Sequence, residues 1–228
     1  MSGELQTIVA ARSLAGKRSC FIGVGRPSTA AILARMVHNP ELVLVYESGT
    51  IGAKPYRVPL SIGDGELAET ADLVVSVPEM FNFWIGTGRV QVAFLGAAQV
   101  DRAANLNSTV IGDYDHPKTR LPGAGGAPEI ATGCEEVVVL APHSPRTFVE
   151  RLDFRTTTGE RTTQVITDLG VLEPRRGELT LTALHPGVTA GQARAATGWE
   201  LRLADEVAET PPPTADELAA LEELLSRG

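Results

Sequence analysis

The sequence predicts an α/β fold: an open, mostly parallel sheet in an α/β/α sandwich, with a small antiparallel appendage. Three observations carry this expectation. Over the first 140 residues, short apolar runs alternate with stretches of helical spacing, the pattern of strands joined by crossover helices. The run Leu42-Val43-Leu44-Val45-Tyr46 is apolar throughout, as strands covered on both faces are. Residues 164–184 instead show β-type segments around Gly170 and Gly177, an antiparallel signal. No internal repeat or linker divides the chain, so one domain spanning residues 1–228 is expected.

Each element follows from local chemistry. Leu5, Ile8, Val9 and Leu14 recur at helical spacing, which predicts a helix over residues 4–15. Residues 20–24 form an apolar strand that breaks at Gly23 and Gly25. Pro27 then opens a helix running to about Val37, since its missing N–H had no partner in the first turn. The strand over residues 42–46 ends in Glu47-Ser48-Gly49. Further strands are predicted over residues 73–77, 92–95, 109–111 and 136–140, with a short helix over residues 79–85. Thr189 opens a short helix closed by Gly198. Beyond the stiff Pro211-Pro212-Pro213 spacer, Thr214 and Glu217 form a capping box for a last helix. Leu218, Leu221, Leu224 and Leu225 are expected on one face of that helix.

Composition narrows the function. The 228 residues carry 20 basic and 28 acidic side chains, a net charge of -8. That excludes the broad positive surface on which non-specific nucleic-acid binding depends. Only Lys17, Lys54 and Lys118 are lysines, so an anionic ligand must be met by arginine, backbone N–H groups or another chain. No apolar run approaches the roughly 18 residues of a membrane span. The opening MSGELQ carries Glu4 and lacks a basic, then apolar, leader, so a cytoplasmic location is expected. Cys20 and Cys134 make neither a disulfide framework nor a CxxC site. His38, His116, His143 and His185 are scattered, and the Asp113, Asp115 and His116 cluster reads as a structural loop. No metal is therefore expected. A GxSxG elbow and a GxxxxGK[ST] loop are both missing.

Four stretches have the makings of a site. Glu47 ends an apolar strand, where ligands of open parallel sheets collect. A partly desolvated carboxylate there is a nucleophile, or it caps the turn or pairs with an arginine. Pro122-Gly123-Ala124-Gly125-Gly126 offers backbone N–H groups to an anion or oxyanion, or it is a flexible connection. Gly23-Val24-Gly25-Arg26-Pro27-Ser28 nearly matches a dinucleotide fingerprint but has Ser28 in place of the third glycine, so a tight ligand-facing turn is expected without a nicotinamide. Gln99, just past a strand, is a neutral donor for a carbonyl or a satisfied loop amide.

Taken together, YESGTIGAKP (46–55), PLSIGDGELAETAD (59–72), FLGAAQVDR (94–102), TVIGDY (109–114) and RLPGAGGAPEIA (120–131) resemble the family I coenzyme A transferases, in particular their B subunits. The likeness extends to Ile166-Thr167-Asp168, His185-Pro186-Gly187 and Thr197-Gly198-Trp199. The resemblance implies that Glu47 is the covalent nucleophile. It also implies that Gly123, Gly125 and Gly126 supply oxyanion contacts and that Val24, Gly25 and Gln99 line the acyl site. It implies a distinct A-type partner in a hetero-oligomer of paired subunits, coenzyme A thioesters as substrates, and no permanently bound cofactor. Steroid-ring-cleaving hydrolases of the same fold lack the glutamate, so Glu47 favours transfer over hydrolysis.

Overall fold

The computed structural model describes residues 2–227. Helix α1 (Ser2–Arg12) leads to strand β1 (Ser19–Ile22), helix α2 (Arg26–Val37) and strand β2 (Val43–Tyr46). A tight turn brings the chain back as β3 (Thr50–Ile51), and α3 (Gly65–Glu69) and β4 (Leu73–Val74) come after it. Ser76 and Glu79 then cap each other around α4 (Val77–Glu79), which widens into a π-helix over Met80–Ile85. The short helix predicted here is thus wound in two ways.

Strand β5 (Val92–Gly96) re-enters the sheet. Two small ribbons come next, β6 (Gln99–Val100) with β7 (Leu106–Asn107), and β8 (Val110–Gly112) with β9 (Pro117–Arg120). The chain continues through α5 (Ala127–Gly133), β10 (Glu136–Leu140), β11 (Thr162–Ile166), β12 (Gly170–Arg175) and β13 (Glu178–Leu184). It ends with α6 (Ala190–Ala195), β14 (Arg202–Glu209) and α7 (Ala215–Ser226).

One ten-stranded sheet runs in the order β14-β13-β12-β11-β10-β5-β1-β2-β3-β4. Its centre, β11-β10-β5-β1-β2, is parallel. The predicted antiparallel strands β12 and β13 are present and extend this same sheet. Strand β14 has no counterpart among the sequence expectations. Arg202, Asp205, Glu206 and Glu209 interrupt its apolar pattern, and a polar edge strand holds by backbone pairing more than by burial.

The central strands send alternate side chains to two cores. Cys20, Ile22, Leu44 and Tyr46 face α1, α2 and α7, while Phe21 and Val45 face the other side with Ile85, Ile130 and Trp199. On α7, Leu221 and Leu224 are buried, but Leu218 and Leu225 are 44% and 56% exposed. The apolar stripe is therefore narrower than the four leucines implied.

Buried Glu217 ties the two ends of the described chain together. Both its oxygens accept from the Arg12 guanidinium at 2.6 Å, and one accepts the Thr214 N–H at 2.7 Å. Burial pushes this carboxyl up, but the Arg12 fork and the Thr214 contacts outweigh it and hold it down at about 2, against an ordinary 4.5. A carboxyl depressed in the folded state contributes stability that is full above the unfolded value and lost as pH falls through the folded one. Urea denaturation is therefore expected to show a loss between about pH 4.5 and pH 2 that is absent in Glu217→Gln.

Candidate active site

Strands β1, β2, β5 and β10 all end at one edge of the sheet. A cavity of about 440 Å³ opens there, lined by Gly23, Val24, Glu47, Gly96, Ala141 and the loop from Pro122 to Ala127. Strand β1 has β2 on one side and β5 on the other, the reversal of order at which open α/β sheets form a crevice.

Glu47 is presented by a hairpin turn. The Gly49 N–H donates to Tyr46 O at 3.0 Å, and the Val75 N–H to Gly49 O at 2.9 Å. Gly49 has φ 101°, and a Cβ there would stand 2.0 Å from Val75 O. Beneath the turn, the buried Tyr46 hydroxyl meets Ser28 Oγ at 3.0 Å, a structural role for the serine that stands in place of the third fingerprint glycine. Gly49→Ala is expected to destabilise the chain by about 2–4 kcal/mol through strain and overlap, and chemical denaturation of purified protein would measure it.

Glu47 itself is half-buried, and among the described residues its carboxylate has neither an ion pair nor a hydrogen bond. The capping and arginine-pairing alternatives therefore do not occur within the described chain. Ser48 Oγ and Thr50 Oγ1 are buried without a partner beside it. Cys20 and Cys134 offer no competing nucleophile. Burial raises both thiols, Cys134 to about 12, which keeps them protonated and inert.

The glycine loop forms the facing wall. Gly123 is pinned, since its N–H donates to Ser108 O and its carbonyl accepts from Ser108 Oγ, both at 2.9 Å. Its N–H is thus committed, and Gly123 acts as the loop's anchor. The N–H groups of Gly125 and Gly126 have no partner among the described residues. A Cβ on Gly126 would lie 3.0 Å from Glu47 Oε1 and 2.4 Å from Phe81 Cζ. The loop and the carboxylate therefore touch with no room for a side chain between them. Gly126 also starts α5, and Gly25, at φ 79°, starts α2; neither end has a side-chain cap. Uncapped helix N-termini favour negative charge nearby.

Val24 is 41% exposed and lines the cavity, as do Gly23, Arg26 and Pro27, but Gly25, expected there, is not among its lining residues and instead forms the turn that starts α2. Gln99 does not line it. Its Oε1 accepts from Asn107 Nδ2 at 2.7 Å and from the Asp153 N–H at 3.0 Å, and its Nε2 donates to Asp153 Oδ2 at 2.9 Å. It faces a second cavity instead. Phe81 is not identifiable from sequence: it lies in the π-helix, and its ring stands against Gly126, 45 positions away. Gly96 and Ala141 could have been found as residues at the ends of predicted parallel strands.

The remaining resembling motifs brace this region. His143 meets Thr167 Oγ1 at 3.2 Å and Thr197 Oγ1 at 2.9 Å, and His185 Nε2 donates to Thr167 O at 2.8 Å. Burial pushes the His143 imidazole down to about 4, against the opposing pull of Asp168, so it is neutral near pH 7. Asp113 Oδ1 accepts the N–H groups of Asp115 and His116, which closes a loop. Among the described residues there is no group of three metal-ligating side chains, and no helix is long and apolar enough to cross a membrane.

An unpaired carboxylate against unpaired main-chain donors is suited to acyl transfer through a covalent intermediate. The sequence agrees with that chemistry. Residues 5–193 match the family model for coenzyme A transferase, and the chain belongs to this family. It is a CoA-transferase subunit of the B type. Among its relatives is the B subunit of the 3-oxoadipate CoA-transferase of Pseudomonas knackmussii, 51% identical over 99% of this chain and 94% of that protein. The B subunit of the glutaconate CoA-transferase of Acidaminococcus fermentans is 30% identical over 92% of this chain and 87% of its own length. The crystal structure of glutaconate coenzyme A-transferase from that organism superposes with a TM-score of 0.93, covering 99% of this chain and 94% of that one at 27% identity.

Proposed function

We propose that this chain, paired with a complementary A-type partner, moves coenzyme A from succinyl-CoA to 3-oxoadipate through a glutamyl-CoA thioester on Glu47. The carrying observation is the free Glu47 carboxylate against the Gly125–Gly126 backbone, with a Gly126 Cβ position only 3.0 Å from Oε1. The choice of acids rests on the 51% likeness to the Pseudomonas protein.

In this reading a Glu47 oxygen attacks the thioester carbonyl, and the Gly125 and Gly126 N–H groups receive the developing oxyanion. The C–S bond breaks to give a mixed anhydride and coenzyme A thiolate. The thiolate attacks the Glu47 carbonyl, succinate leaves, and the glutamyl thioester remains. The acceptor carboxylate reverses these steps, and Glu47 is regenerated with no net proton change. One carboxylate serves both halves, so kinetics are ping-pong. Val24 borders the acyl group, Gly25 contributes by shaping the turn that presents Val24, and water is kept out so that the thioester survives. Gly123 contributes by holding the loop, and Gln99 by holding the neighbouring ribbon. The chain acts as a single domain in a cytoplasmic hetero-oligomer, with coenzyme A as substrate and no resident cofactor.

Borohydride reduction after incubation of the two-subunit enzyme with succinyl-CoA is expected to modify Glu47 alone, as read by peptide mass. Label on any other residue overturns the covalent assignment. A panel of 3-oxoadipate, glutaconate and acetoacetate as acceptors tests the choice of acid, with 3-oxoadipate expected to give the highest kcat/KM.

A further inference from the structure

A smaller cavity, of about 240 Å³, opens on the face of the sheet covered by α1, α2 and α7. Three cations line it, and no acidic side chain does. They come from separate parts of the chain: Arg35 from the last turn of α2, Lys54 from the segment after β3, and Arg227 from the end of α7. The floor is apolar. Ile32 and Leu44 belong to the buried core, and Met36 lies one turn on from Ile32 along α2.

The charge of Arg35 is uncompensated within the described chain. Its Nη1 donates to Ala53 O at 3.1 Å and its Nη2 to Pro40 O at 3.4 Å, and no carboxylate pairs with it. Its Nε is buried without an acceptor. Arg227 repeats the pattern. Its Nη1 donates to Tyr56 O at 2.9 Å, its guanidinium lies 4.4 Å over the Tyr56 ring, and its Nε is likewise buried without an acceptor. Glu223 accepts from Arg227 Nη2 at 2.5 Å and Asp72 pairs with Lys54, but both carboxylates are exposed. Such surface pairs are screened and hold little net energy. A buried N–H without an acceptor is costly, and here two of them belong to cations around one hollow.

The volume falls below the roughly 300–1,000 Å³ of sites for drug-sized ligands, so the occupant is small. The apolar floor asks for more than a bare inorganic anion. We propose that this cavity is a binding site for a small amphipathic organic anion, an aliphatic carboxylate. Its charged end meets Arg35 and Arg227, whose planar forks suit a carboxylate, and its chain lies over Ile32, Met36 and Leu44. Bound there, it bridges α2, the segment after β3 and the end of α7. The site is separate from the Glu47 cavity. Arg35 follows Arg26, which lines that cavity, by nine positions of α2, an axial rise of about 14 Å. The inference does not depend on the reaction proposed above.

The test is calorimetric titration of the two-subunit enzyme with hexanoate as the probe. A Kd of about 1 mM is expected, in keeping with so small a ligand. Arg35→Gln and Arg227→Gln should each raise it about tenfold, the loss of one charge-assisted contact, while Arg35→Lys should keep most of the affinity. Both arginines also brace backbone carbonyls, so Met36→Glu provides a variant that removes neither. It sets a carboxylate into the cavity beside Arg35 and should abolish hexanoate binding with the circular dichroism of wild type. Hexylammonium, of like shape and opposite charge, should not bind. The absence of saturation by about 20 mM hexanoate, or a Kd within twofold of wild type in both arginine variants, overturns the proposal. Inorganic phosphate binding as tightly as hexanoate overturns the amphipathic assignment. Hexanoate at its Kd should leave the KM values for succinyl-CoA and for the acid acceptor unchanged. Competition with either that persists in Arg35→Gln would place the probe in the Glu47 cavity and likewise overturn the proposal.

Discussion

Glu47→Ala is expected to abolish coenzyme A transfer, by about 10⁵-fold or more in kcat, the scale seen when a covalent nucleophile is removed. Folding should be untouched. The side chain makes no hydrogen bond or ion pair among the described residues, so its truncation orphans no partner and is worth about 0.5 kcal/mol or less. Denaturation midpoints should match wild type while succinyl-CoA-dependent transfer falls to background. Transfer above a few per cent would remove Glu47 from the mechanism. Glu47→Asp is the more informative companion. Its carboxylate is withdrawn from the Gly126 backbone by one methylene, which opens space for water at the carbonyl. Slower transfer with thiol release in the absence of any acceptor is expected, and a thiol-reactive dye reads both.

The effect divides so cleanly because the site is made of strand ends and loop backbone. The parallel strands are held by burial on both faces, and little of that packing depends on the residues beyond their C-terminal ends. Tyr46 shows the division: its ring is buried and its hydroxyl is fixed by Ser28, while Glu47, one residue on, points its chemistry at the cavity rim. Stability and reactivity are carried by adjacent residues on opposite sides of a turn.

The same division explains how much is legible in the sequence. The strand over residues 42–46 and the acid after it are legible because apolar continuity and a glycine turn are local signals. The loop from Pro122 to Gly126 is legible for the same reason. Gln99 is not, because its amide is consumed by Asp153, 54 positions away, and no spacing rule reports such a partner. Gly123 looks equivalent to Gly125 and Gly126 in sequence, yet a contact with Ser108 commits its N–H. Phe81 depends on a π-helical winding that propensity does not announce. Strand β14 is hidden by its charges.

Gly126→Ala is expected to cost about 100-fold in kcat, the usual effect of displacing an oxyanion donor, with a destabilisation of about 1–3 kcal/mol from overpacking. Backbone strain is not the cause. Gly126 has φ -86° and ψ 2°, the bridge region that ordinary residues occupy in type I turns, with no left-handed penalty for alanine. The cause is contact, because the new methyl would stand 2.4 Å and 2.7 Å from two Phe81 ring carbons and 3.0 Å from Glu47 Oε1. Either the ring or the loop must move, and moving the loop carries the Gly125 and Gly126 N–H groups away from the oxyanion position. Gly125 provides the contrast. A Cβ there meets nothing within 4 Å, but φ is 50°, so Gly125→Ala should act through backbone strain of about 1–2 kcal/mol with a smaller loss of rate. Adding Phe81→Leu to Gly126→Ala makes space for the methyl and should restore part of kcat, whereas it should do nothing for Gly125→Ala. Steady-state transfer rates of the four variants in the two-subunit enzyme decide the matter. Wild-type kcat in Gly126→Ala would mean that the carboxylate and the loop do not act together on one carbonyl.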